Sequence, residues 1–441
     1  MKERKIYSNN VWVENRLQSA TVCFLNGTIT AIHFEKSEGA EDFGNVVVMP
    51  GVIDVHVHIN EPGRTDWEGF ETATQAAAAG GTTTIIDMPL NASPVTTTLD
   101  AFQQKLEASK GKMNVNVGFY AGLIPGNAAH LESLMQAGVV GVKCFLTHSG
   151  IDEFPNVTQK DLDEAMPIIA KYHLPLLAHC ELYDREVDSD FENHPTSYQH
   201  YLASRPKQWE NDAVDLMIRM CRKHQCPVHI VHVASAEALA KIDAAKQEGL
   251  PITAETCAQY IYFNAEEIPD GNTIFKCAPP IRERSNNLQL KQAFLTGVLD
   301  FITTDHSPAP ANIKEIATGN LKKAWGGIAG IQFLLTASWT ALKDTMALEQ
   351  FIPLLTSRPA RFIKADKKGI IAVGNDADLV IWNPEKSQVV NESAVLFRHK
   401  ISPYIAQNLS GVVLETIVNG ETVYQNQSIQ NKNKGQWLLK K

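Results

Sequence analysis

The chain has no apolar run long enough to cross a bilayer. About 18 uninterrupted apolar residues are needed. The nearest candidate, GGIAGIQFLLTASWTAL (326–342), is broken by Gln332, Thr336, Ser338 and Thr340 and reads as a buried helix. Nor is an export signal expected from MKERKIYSNN, which carries positive charge with no apolar core behind it. A cytoplasmic location is the expectation. There is no excess of positive charge: 40 Lys+Arg stand against 49 Asp+Glu, a net charge of −9. That balance argues against nucleic acid or an anionic membrane as partner. The seven cysteines (Cys23, Cys144, Cys180, Cys221, Cys226, Cys257 and Cys277) are odd in number and never spaced C-x-x-C. This excludes a cysteine zinc or redox motif and a disulfide framework, and leaves reduced, buried thiols. No low-complexity linker or internal repeat is present.

What is present is an ordinary globular composition, 44% apolar and 20% charged over 441 residues. The length suits one large catalytic domain plus a smaller one. Short apolar or β-branched runs recur at 47–59, 82–89, 114–123, 138–146, 174–181, 227–235, 251–259 and 300–308. Helical patterns lie between them, among them EGFETATQAAAA (68–79), whose alanines suggest a closely packed helix, and NDAVDLMIRMCRKH (211–224). Eight strands alternating with helices over roughly 250 residues predict an α/β fold, a (β/α)8 TIM-type barrel. A doubly wound open sheet is the alternative, but no G-x-G-x-x-G follows the first strand. The two ends differ from this pattern. TVCFLNGTITAIHF (21–34) has an Asn26-Gly27 hairpin signal, and 369–384 and 412–425 are similarly strand-rich. The expected organisation is a small β-sandwich domain from residues 1–46 plus 366–441, around a barrel at 47–365.

The first run ends in His56-Val57-His58. Residues two apart on a strand share a face, so these imidazoles point together, as a polar strand end or as metal ligands. Other run ends favour the metal. Lys143 lies on the fourth run, His179 on the fifth, His232 on the sixth and Asp305 on the eighth. C-terminal strand ends converge on the catalytic face of a barrel, and imidazole with carboxylate suits zinc, cobalt, manganese or iron. Lys143 fits least well. A buried, unpaired ammonium has a lowered pKa. The neutral amine can add carbon dioxide as a carbamate that could bridge two metals; the alternative is a lysine paired with an acid. Two metals would activate a shared water and polarise a carbonyl, with Asp305 as the group that carries the proton. Hydrolysis of an amide is the matching chemistry. His229 is out of phase with His232 and is expected to pack outward. His173, His194, His200 and His224 are expected at the surface.

The run Pro50-Gly51-x-Ile53-Asp54-x-His56-x-His58, the Gly-x-Lys143 strand, His179, His232 and Asp305-His306-Ser307 resemble the cyclic amidase branch of the amidohydrolase superfamily. So does the closing stretch from Lys368-Gly369 to Asp376-Ala377-Asp378-Leu379-Val380. That branch holds dihydroorotases, dihydropyrimidinases (hydantoinases) and allantoinases, and the resemblance covers nearly the whole chain. EPGRTDWEGFETAT (61–74), MPLNASP (88–94), CAPPIR (277–282), DHSPAP (305–310), AWGGIAGIQ (324–332) and HKISPY (399–404) are most similar to the allantoinases. The resemblance implies two divalent metal ions, zinc first, with Lys143 carboxylated on its side-chain nitrogen as the bridge. His56, His58 and Asp305 would hold one ion, and His179 and His232 the other. It also implies opening of the hydantoin ring of allantoin to allantoate, in purine breakdown, by a homotetramer. Two departures sort the branch. Dihydroorotases usually have an arginine where Asn60 stands, and an amide cannot form a bidentate link to an acid substrate. Dihydropyrimidinases usually have a tyrosine where His148 stands. Backbone groups near Cys277-Ala278 and Gly327-Ile328 would meet the ring's amide edge, and Asn91 and Ser307 are further polar candidates. A hydantoinase is the alternative activity, then a dihydroorotase. A non-catalytic scaffold is the remaining one, although such relatives lack ligands that this chain retains.

Overall fold

The structure, a computed structural model, describes residues 3–183, 187 and 189–440. Each of the eight runs contains a strand. Val52–Val57, Thr82–Asp87 and Asn116–Phe119 pair in parallel in one sheet. Ala121–Gly122, Val142–Phe145, Leu176–His179, Val228–Ile230, Ile252–Cys257 and Phe301–Thr303 pair in parallel in a second. Only Tyr120 separates Asn116–Phe119 from Ala121–Gly122, so one extended segment serves both sheets. At the far edges, a parallel bridge joins Val57 to His306, and the His58 N–H donates to the His306 carbonyl at 2.8 Å. One apolar cluster gathers Ile53, Val55, Ile86, Tyr120, Leu177, Val231 and Phe301 from across both sheets. Helices alternate with the strands, including Phe70–Ala79, Gln159–Lys171, Lys207–His224 and Arg284–Leu295. All four alanines at 76–79 are buried, so the helix lies close on its neighbours.

The run 47–59 is two strands, not one. Val47–Pro50 turns away at Gly51 and pairs antiparallel with Leu379–Val389. A side chain at position 51 would come within 2.1 Å of Thr83, so only glycine lets the chain cross there. The segment 326–342 is also only half helix. Leu334–Leu342 is helical after a short turn at Ile331–Phe333. The residues before it stay extended because three glycines disfavour helix and Ile328 is bridged to His306. Among the described residues no helix is long and apolar enough to cross a membrane.

The two ends of the chain meet in one sheet of nine strands through Val47–Pro50. A sandwich of two layers is expected from the sequence; the strands of this region are hydrogen-bonded into one continuous sheet. It has an apolar core of its own around Val22, Phe24, Val48, Leu379, Ile381 and Ile417. The Asn26-Gly27 signal forms its hairpin, with both residues at positive φ (51° and 82°) joining Arg16–Leu25 to Thr28–His33. The C-terminal strand Trp437–Leu438 leaves this sheet and pairs with Asn116–Phe119.

Candidate metal centre and its cavity

His56 and His58 do point the same way. Their ring centroids are 5.7 Å apart, and both Nε2 atoms lie 3.2 Å from Asp305 Oδ1. Ligands on a tetrahedral ion with bonds of about 2.0–2.1 Å are separated by a similar distance. His56 is next to His232 (5.5 Å between centroids), and His232 is edge-on to His179 (4.6 Å). The four imidazoles thus form one arc from His58 to His179. Lys143 lies among them with no solvent exposure and no hydrogen-bond partner for Nζ.

Local backbone geometry differs along the arc. Lys143 and His179 lie within their strands, but His232 and Asp305 lie two residues beyond theirs, at φ 41° and 46°. Left-handed backbone is costly for a side chain of that size. Beside Asp305 it is supported by Asp54, buried beneath, which accepts from Thr304 Oγ1 and from the N–H groups of His56 and Thr304. Asp54 itself is pushed up to about 7 by burial, against those bonds.

The same break in strand geometry corrects the expectation for His229. It is fully buried, not outward-facing, because the chain leaves strand conformation after Ile230 and the phase between 229 and 232 is lost. His229 Nε2 is 3.1 Å from Glu255 Oε2, its Nδ1 is 2.8 Å from Thr253 Oγ1, and its ring stacks on Phe301. Glu255 Oε1 is 2.5 Å from His56 Nδ1. This carboxylate orients His56 with Nε2 toward Asp305. Glu181 does the same for His179, lying 2.8 Å from its Nε2 and held in turn by Arg205. The sequence reading missed Glu255, Glu181 and Arg205. A carboxylate inside the apolar run ITAETC, and another two residues past His179, were the available signals.

The electrostatics favour a cation. Burial pushes His58, His179 and His232 below the ordinary imidazole value, leaving them neutral, as ligands must be. Burial also lowers His56, but Asp305 and Glu255 outweigh it and raise the ring to about 9. Two carboxylates therefore demand positive charge where a metal ion would supply it. Burial opposes ionisation of Asp305, yet His56 and His58 hold it well below the usual carboxylate range. Burial lowers Lys143 to about 8, against the pull of Asp305 and Glu255. An unpartnered amine that gives up its proton more readily than an ordinary lysine is suited to carbamate formation.

These groups line a cavity of about 560 Å³ that also takes in Asn91, Ala278 and Ser307. Asn91 Nδ2 is 3.3 Å from His58 Nδ1. Gly327 packs directly against Ser307, where a side chain at 327 would come within 2.3 Å of the Ser307 carbonyl. Its N–H is already given to the Lys276 carbonyl. Asn60 is buried at φ 67°. Arg64 pairs with Glu153 at 2.7 Å and lies over Trp67, which meets Trp325 edge-on. His148 is exposed at the cavity mouth and 3.4 Å from Asp152. Of the outlying histidines, His173 and His194 are exposed and His200 and His224 half-buried.

A model described as the amidohydrolase family matches residues 47–423. The chain belongs to the amidohydrolase family. Among its relatives are the allantoinase of Arabidopsis thaliana, 41% identical over 95% of this chain and 87% of that protein. The allantoinase of Saccharomyces cerevisiae is 39% identical over 98% of each. The solved L-hydantoinase (dihydropyrimidinase) of Arthrobacter aurescens is 26% identical and covers 99% of both chains, with a TM-score of 0.90. This amidohydrolase therefore shares its fold with hydantoinases and its sequence more closely with allantoinases.

Proposed function

We propose that this amidohydrolase opens the ring of allantoin by hydrolysis to give allantoate. The observation that carries the reading is the meeting of four imidazoles, Asp305 and an unpartnered Lys143 in one cavity, in a chain about 40% identical to allantoinases over nearly its whole length. His56, His58 and Asp305 would hold one divalent ion and His179 and His232 the other, with Lys143 as carbamate between them; zinc is the first candidate and cobalt, manganese and iron fit the same donors. When bound, the ions would lower the pKa of the attacking water and polarise the ring carbonyl. The rest falls to the chain. Asp305 accepts the proton of the attacking water; as oxygen bonds to the carbonyl carbon and the C–N bond breaks, it delivers that proton to the leaving nitrogen. Glu255 and Glu181 keep His56 and His179 in the ligating orientation. Ala278, Ser307 and Asn91 face the substrate; Gly327 acts by packing against Ser307, since its N–H and its carbonyl are both engaged, by Lys276 and Lys314.

The Val57–His306 bridge supports closure of the two parallel sheets into a (β/α)8 barrel. We assign this barrel to residues 47–365 and the small domain to 1–46 with 366–441, the Val47–Pro50 strand lying in the small domain's sheet. The family resemblance supports a homotetramer working in the cytoplasm. A hydantoinase is the second reading, favoured by the TM-score of 0.90 to an L-hydantoinase. An acid substrate is disfavoured, because Arg64 is already paired with Glu153. The test is hydrolysis of allantoin with and without added divalent metal, followed as allantoate, beside kcat/KM for hydantoin and dihydrouracil. Metal-dependent turnover with allantoin preferred is the expected result; a strong preference for dihydrouracil would overturn it.

A further inference from the structure

Lys314 is nearly as buried as Lys143, with only 3% of its surface exposed. Among the described residues no carboxylate is paired with it. Its Nζ donates instead to three main-chain carbonyls: Gly327 at 2.8 Å, Trp325 at 3.1 Å and Lys276 at 3.3 Å. An ammonium has three N–H donors, and all three are used. Those carbonyls belong to two segments far apart along the chain, 276–278 and 325–327. They overlap the backbone near Cys277-Ala278 and Gly327-Ile328 expected to meet the substrate's amide edge, and Ala278 and Trp325 both line the cavity.

We propose that Lys314 is a positioning residue for the substrate, fixing the separation of the 276–278 and 325–327 segments so that their backbone groups match the edge of a cyclic amide. The inference rests on the cyclic-amide reading of the site. Its physical basis is the cost of the arrangement. Burial without a counter-charge pushes the Lys314 amine down to about 7, and an apolar side chain of similar length would fill the space without that penalty. What an apolar side chain cannot do is draw three carbonyls to one point. Other contacts extend the link. The Gly327 N–H donates to the Lys276 carbonyl at 2.9 Å, the Trp325 N–H to the Ile313 carbonyl at 2.9 Å, and Lys276 Nζ to the Ala324 carbonyl at 2.5 Å. Binding geometry of this kind is sensitive to displacements of about 1 Å. Lys314 touches none of the six groups assigned to the metals, so its loss acts on substrate placement and leaves the reacting centre intact.

The experiment is steady-state kinetics of Lys314→Met and Lys314→Gln in the metal-loaded enzyme, with kcat expressed per bound metal and folding checked by thermal melting. In Lys314→Met, KM rises about tenfold or more while kcat per metal stays within about threefold, the pattern of lost uniform binding. Lys314→Gln keeps two N–H donors and falls between wild type and the Met variant. A merely structural lysine gives a lower melting temperature and less active enzyme, but an unchanged KM. That outcome overturns the proposal. Should the Met variant not fold, a wild-type KM in Lys314→Gln overturns it equally. If the wild type leaves allantoin intact, the substrate reading fails separately, and the same KM comparison is made on hydantoin or dihydrouracil, whichever the wild type opens.

Discussion

Lys143 and Lys314 are both buried beside the cavity, and their surroundings differ in one respect. Lys143 Nζ has no acceptor, whereas Lys314 Nζ has three. Burial lowers both amines, to about 8 and about 7. A shifted pKa alone therefore does not separate a lysine poised to react from one whose donors are engaged. What separates them is whether the nitrogen's donors are already used. The unpartnered amine lies between imidazoles and a carboxylate, where carbamate formation would complete a metal site. The partnered one joins loop segments. Two further buried lysines show the commoner solution, a carboxylate partner: Lys105 with Asp87 and Lys368 with Asp378.

The sharpest way to break this comparison is Lys143→Ala. Activity should fall by roughly a thousandfold or more, with loss of bound metal, because the bridge and the water it helps activate are both removed; near-normal turnover would falsify the bridging role. Glu255→Gln comes next. It keeps the shape but weakens the hold on His56 Nδ1, and a loss of about 10–100-fold in metal affinity or activity is expected, measured by competition with a chelator. Stability should then separate the two lysines by sign in the metal-free protein. Lys143→Met removes an unpaired buried ammonium and should raise the denaturation midpoint. Lys314→Met strands three carbonyls and should lower stability by about 1–3 kcal/mol. Equal shifts in the two variants would erase the distinction.

The most gradual effect is the pH dependence of the metal-free fold. Both lysines have folded pKa values below the value of about 10.4 they have when unfolded. Between those limits the unfolded chain binds more protons than the folded one, so stability rises with pH. For Lys143 the window runs from about 8 upward and for Lys314 from about 7. Each adds at most about 1.4 kcal/mol per pH unit. Urea unfolding from pH 7 to 10 should show a shallower rise in Lys143→Met than in wild type.

The eight strands were legible because alternation and β-branched runs are local properties. So were the imidazoles, the lysine and the carboxylate that line the cavity, since each comes at or just beyond the end of an apolar run. The failures are local too. The run 47–59 was read as one strand because nothing near Gly51 announces the antiparallel partner at Leu379–Val389. His229 was assigned outward because phase counting assumes an unbroken strand, and the strand ends at Ile230. The segment 326–342 reads as a helix from its apolar content, and its extended first half follows from a bridge to His306.

By itself the sequence determined the alternating architecture, the types of the six candidate ligand groups and the kinship with cyclic amidases. Each depends on side-chain type and on spacing along the chain. The tertiary structure alone decided which carboxylate backs which imidazole. Glu255 reaches His56 across 199 residues, and Glu181 is held by Arg205 across 24. It also decided which buried lysine has its donors occupied. Such partners are set by which strands and loops become neighbours when the sheets assemble, and that adjacency is a property of the whole chain.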